Sequence, residues 1–199
     1  MSARARRRLL GLVVAAVLAG STAFTPALAG ELTDRQGDTV NDDNDKPVDV
    51  PQADIVKSWI TAGTKEILLG LQVRKPTDPA TDRAWVAGDS SAQWDLDVNG
   101  DSKPDYTAEL YNDDGKITGE VSRADAGDDA PAKCLVTKHS YAAEEGYTVT
   151  VDPACIGSPT SVAYQATFSY DTNPSDENSG DVTDTSPDQG MSPSVTVGK

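Results

Sequence analysis

Asp95, Asp97, Asn99, Asp101, Lys103 and Asp105 alternate with other residues through one short run that turns at Gly100. Hard cations such as calcium take roughly six to eight oxygen ligands, mostly carboxylates and carbonyls, from a flexible loop. The side chains of Asp97, Asn99, Asp101 and Asp105 can converge, the Lys103 carbonyl adds an oxygen, and Asp95 joins from the strand that enters the loop. Spacing by two gathers these groups on one side, because alternate residues of an extended run point the same way. A polar turn rich in Asp, Asn and Gly has the same composition. Acids crowded this closely repel one another unless a cation lies between them, so calcium is the expected ligand.

Counted from Asp97, the run reads D-x-N-G-D-x-x-x-D. It resembles the calcium loops of integrin-type FG-GAP repeats, D-x-[ND]-G-D-G-x-x-D. The form occurs once, so the resemblance implies a calcium loop and not a propeller. Ser102 stands where that family has glycine; if positive φ is needed there, serine costs about 1 kcal/mol. An EF-hand fits less well. Read from Asp95, its twelfth position is Tyr106 instead of a bidentate glutamate.

The remaining reactive residues are few. Cys134 and Cys155 are the two cysteines, and an even pair in an exported chain reads as a disulfide. His139 is the one histidine, and no nucleophile or metal motif surrounds it. Glu144 and Glu145 are adjacent, so on a strand they face opposite ways and suit glycosidase chemistry poorly. No constellation supports an enzyme. Trp59, Trp85 and Trp94 can each fill a core or stack on a sugar ring. Trp94 alternates with Leu96 and reads as core. Trp85, in Arg83-Ala84-Trp85-Val86 beside a polar loop, is the expected ligand-binding ring.

Residues 1–29 read as a secretory signal peptide. Arg4, Arg6, Arg7 and Arg8 precede an apolar run from Leu9 to Ala19, and Ala27-Leu28-Ala29 forms a cleavage site. Arg6-Arg7-Arg8-Leu9-Leu10 also admits twin-arginine export. The apolar run is short for a membrane span, and no later segment reads as an anchor. The signal peptide removes four arginines and no acids, leaving 13 basic against 32 acidic residues, a net charge of about −19. That excludes nucleic acid as a partner, because phosphates need Lys and Arg.

Strands must position the loop. Ile67, Leu69, Leu71 and Val73 alternate with Leu68, Gly70 and Gln72, giving one strongly apolar face, and Trp94 with Leu96, Tyr106 with Ala108 and Leu110, and Val162 through Tyr170 alternate likewise. Asn112-Asp113-Asp114-Gly115 is a hairpin turn. The pattern predicts an all-β chain whose residues 53–170 form a single antiparallel β-sandwich. Residues 30–52 read as a flexible acidic leader, or at most an edge segment laid on the domain. Asn41-Asp42-Asp43-Asn44-Asp45 in that leader also admits a second calcium site in 41–54, without turn geometry to define one. Residues 171–199 read as an acidic mobile tail in which Ser194-Val195-Thr196-Val197 can pair as a last strand.

Ala53-Asp54-Ile55, the Asp-rich loop before Tyr106, Gly146 to Cys155 and the Val162–Tyr170 strand together look like small exported actinobacterial proteins of unassigned function. Their sandwich resembles family-nine carbohydrate-binding modules and DOMON domains. The resemblance implies a secreted binding module whose ligand is a glycan, a wall polymer or a protein. The alternative is an accessory or inhibitory protein acting on a secreted enzyme.

Overall fold

The computed structural model describes residues 28–126, 132–175 and 180–198. The expected signal peptide, residues 1–29, lies outside them through residue 27. In chain order the strands are β1 (Leu28–Thr33), β2 (Val40–Asn41), β3 (Lys46–Pro47), β4 (Ile55–Ala62), β5 (Ile67–Val73), β6 (Ser91–Asp97) and β7 (Tyr106–Asp113). They continue as β8 (Lys116–Arg123), β9 (Cys134–Leu135), β10 (Lys138–Ala142), β11 (Gly146–Val151), β12 (Ser161–Asp171), β13 (Asp181–Ser186) and β14 (Val195–Thr196). Two antiparallel sheets pack face to face. One has the order β1-β4-β5-β11-β10, the other β3-β2-β13-β12-β6-β7-β8-β9, with β14 also on β12.

The core is the inward half of each alternating strand. Ile60, Ile67, Leu69, Leu71, Tyr147 and Val149 from the first sheet meet Trp94, Leu96, Ala108, Leu110, Tyr164 and Phe168 from the second, all buried. A one-residue slip would turn each apolar set outward, so this burial fixes the register. A single helical turn, α1 (Arg83–Val86), is capped by the Asp82 carboxylate and seats Trp85 in that core.

At the N-terminal end the second of the two expected arrangements is found, and at the C-terminal end one expectation is corrected. Past the expected cleavage point, Gly30–Thr33 pairs with Lys57–Ile60, and Val40–Asn41 pairs with Val182–Thr183. Residues 30–52 are thus an edge segment laid on the domain. In the tail, Asp181–Ser186 pairs with Ala166–Asp171 of β12, so this part of the stretch expected to be mobile is a strand. Neither pairing could be read from periodicity, for one reason. Backbone pairing at a sheet edge needs few apolar side chains, and neither segment carries a hydrophobic period. Pro47 on the outermost strand lacks an N–H and blunts that edge. The Val195–Thr196 pairing matches the expected last strand.

Cys134 and Cys155 form a disulfide, with Cα atoms 6.3 Å apart. It links β9 at the end of one sheet to the 3₁₀ turn Pro153–Ile156 that follows β11 in the other.

Candidate cation loop and binding face

The strands β6 and β7 deliver the acidic loop between them. Its neck closes through the Asp105 N–H on the Leu96 carbonyl (2.8 Å) and the Val98 N–H on Asp105 Oδ2 (2.9 Å). Asp97, 4 % exposed, is the hub. Its Oδ1 accepts N–H bonds from Asn99 (3.0 Å) and Gly100 (2.6 Å), and its Oδ2 accepts one from Ser102 (2.8 Å). Burial pushes this carboxyl up, but the N–H groups of Gly100, Ser102, Asn99 and Asp101 outweigh it and hold the group below its ordinary value.

The loop is otherwise a series of short Asx turns. Asn99 Oδ1 accepts the Asp101 N–H, Asp101 Oδ1 accepts the Lys103 N–H, and Asn99 Nδ2 donates to Asp105 Oδ1 at 2.8 Å. Gly100 and Ser102 both have positive φ, +83° and +65°. Ser102 therefore carries the backbone cost foreseen for it.

Asp97, Asn99 and Asp105 meet through these bonds, with Asp101 and Lys103 exposed on the rim. Asp95 does not join them. It lies on the outer face of β6, where its Oδ1 accepts from Thr107 Oγ1 (2.8 Å) and Gln93 Nε2 (3.0 Å). The donor set is oxygen only and suits a hard cation chemically. Its carboxylates, however, are turned onto backbone N–H groups. Among the described residues, the carboxylates that each bring an oxygen within 4.8 Å of the others are Asp38, Asp54 and Asp184, outside the loop.

No local spacing could have revealed that second group, since its members are far apart in sequence. Asp38 follows β1, Asp54 precedes β4 and Asp184 lies on β13. Asp184 points inward in line with buried Val182 and Ser186. Its Oδ2 accepts the Ile55 N–H at 2.7 Å, beside a bulge in the β4–β5 pairing. Burial first, then the charges of Asp34 and Asp38, push the Asp184 carboxyl up to about 8. Asp34 is pushed up to about 7 by burial and by the charge of Asp188. Asp38 is raised by burial and by Asp188 and Asp54.

The aromatic expectation is also corrected. Trp85 is 1 % exposed, packs on Tyr147 and Phe168 with ring centroids 5.2 and 5.7 Å away, and donates Nε1 to Thr77 Oγ1. It is a core residue, because the α1 turn rolls it under the polar loop. Trp94 is buried as expected. Trp59 is the half-exposed ring.

Trp59 lies on the outer face of the five-stranded sheet, directly opposite Gly70. A Cβ at Gly70 would come within 2.2 Å of its ring, so the indole packs directly over the glycine, in space that a side chain there would fill. Register carries this row across the sheet: Glu31, Trp59, Gly70, Thr148 and Ser140 are successive partners. Lys57 Nζ sits 5.4 Å from the Trp59 ring centroid and pairs with Glu31 at 2.8 Å. Ser140 and Thr148 share a hydroxyl bond of 2.6 Å.

Comparison with family models, curated proteins and solved structures finds no match to this chain.

Proposed function

We propose that this chain is a secreted, calcium-binding β-sandwich that acts as a non-catalytic binding module, with a glycan as its ligand. The observation that carries the reading is the Glu31–Trp59–Gly70–Thr148–Ser140 row on the open face of the five-stranded sheet. An indole packed over Gly70 on the outer face of the sheet offers an apolar surface for a sugar ring. The flanking carboxylate, ammonium and hydroxyls offer the directional bonds that orient it. Strands hold such groups more firmly than loops do. The oxygen-only loop at 97–105 supports calcium, and the disulfide supports an oxidising compartment. Among the described residues no helix is long and apolar enough to cross a membrane.

A glycan array probed with the processed chain, in calcium and in chelator, tests this. Binding that disappears in Trp59→Ala is the expected result. Glycan binding that is indifferent to Trp59→Ala would sink the assignment of this face.

One observation favours the inhibitor reading as the second choice. Leu135, 66 % exposed, stands next to disulfide-tethered Cys134. A rigidly held apolar protrusion of this kind suits insertion into a partner's pocket. Inhibition of a secreted hydrolase that Leu135→Ala abolishes and Trp59→Ala does not would select this reading over the first.

A further inference from the structure

Asp54 is wholly buried, and only one of its oxygens is accounted for. Its Oδ2 accepts the Gly37 N–H at 3.0 Å and meets Arg74 Nε at 3.1 Å. Its Oδ1 is buried with no hydrogen-bond partner, and so are Asp38 Oδ1 and Asp34 Oδ2. Buried polar atoms are almost always paired, and a buried charge without a partner is costly. Here the unpaired atoms belong to carboxylates that crowd one another, and like charges at such range repel strongly away from water. Arg74 meets Asp54 from one side only.

A cation answers the charge and the unpaired oxygens together. Asp38, Asp54 and Asp184 each bring an oxygen within 4.8 Å of the others, about twice a calcium–oxygen distance of roughly 2.4 Å. The donors come from separate segments with no regular spacing, and carboxylates dominate. Calcium accepts such irregular oxygen shells, whereas magnesium demands a near-ideal octahedron and keeps its waters.

We propose that Asp38, Asp54 and Asp184 form a second calcium site, structural in role, at the edge where the two sheets meet. Its ligands explain what the ion would do. Asp38 belongs to the connection between β1 and β2, Asp54 leads into β4 of one sheet, and Asp184 lies in β13 of the other. One ion would tie the N-terminal segment and both sheets together. The site is independent of the 97–105 loop and of the glycan reading.

Calorimetric titration of the chelator-treated chain with calcium, paired with hydrogen exchange, tests it. Calcium should protect the backbone of residues 34–41 and 181–186. Asp38→Asn and Asp54→Asn should lose that protection and weaken this binding step by about tenfold or more, while Asp101→Asn, on the loop, should keep both. Asp38 is half-buried, so Asp38→Asn decides the matter if Asp54→Asn does not fold. The proposal is overturned if Asp38→Asn takes up calcium as the parent does, or if calcium protects only residues 97–105. Equal protection by equimolar magnesium would overturn the assignment to calcium.

Discussion

Gly70→Ala tests whether the Trp59 ring rests on the sheet. An added methyl would lie 2.2 Å from ring atoms Cε2 and Cζ2 and 2.7 Å from Nε1. Carbon–carbon contact is comfortable at about 3.5–4.0 Å, so the indole must lift by about 1.5 Å or swing aside. A tryptophan buries about 150–250 Å². Exposing one ring face returns about 60 Å² to water, which costs about 1.5 kcal/mol at about 25 cal/mol per Å². Gly70 is not at positive φ, so alanine stabilises the fold through the unfolded chain by about 0.4–1 kcal/mol. The net expectation is a loss of about 0.5–1 kcal/mol, a fall in Tm of about 1–4 °C for a chain of this size. Urea unfolding followed by circular dichroism and indole emission measures both terms. Emission should shift to the red, and glycan binding should weaken, while the fold stays intact. A loss above about 3 kcal/mol would mean that the strand gives way instead of the ring. Unchanged emission with a net gain in stability would mean that the ring does not lie on Gly70, and the reasoning fails.

Asp97→Asn removes the charge that organises the loop N–H groups, and should cost about 1.5–3 kcal/mol even in chelator, read by denaturant melts. Replacing Cys134 and Cys155 by serine opens a closure spanning 21 residues and should cost about 3 kcal/mol, read the same way; intact mass before and after reduction confirms the bond in the parent. In chelator, stability should fall as pH rises from about 4 to 8. Asp34 and Asp184 titrate near 7 and 8 when folded, against 3.8 as the ordinary value. Between these values the folded chain holds more protons than the unfolded one, so deprotonation favours unfolding. Melting temperatures across this range, with and without calcium, check the sign, and calcium should flatten the slope.

The amino-acid sequence determines those parts of this protein that are local. Alternation in β5, β6, β7, β11 and β12 is visible residue by residue, because one face of each strand must be apolar to bury. The turn chemistry of Asn99-Gly100-Asp101 is equally local and marks the loop, whereas a positive φ at Ser102 is suggested only by the glycine that the resembled loops carry there. The partner of each cysteine follows from count, since the chain has two. Tertiary structure decided the rest. Trp59 and Trp85 both sit in plausible strand or loop contexts, and only register over Gly70 and the roll of the α1 turn made one a surface plate and the other core. Residues 30–52 and 181–186 carry no hydrophobic period, yet neighbouring edges recruited them through backbone bonds that any sequence without proline at the pairing N–H can make. The Asp38–Asp54–Asp184 group exists because strands far apart in the chain converge at one edge. A carboxylate's neighbours across space leave no trace in its neighbours along the chain.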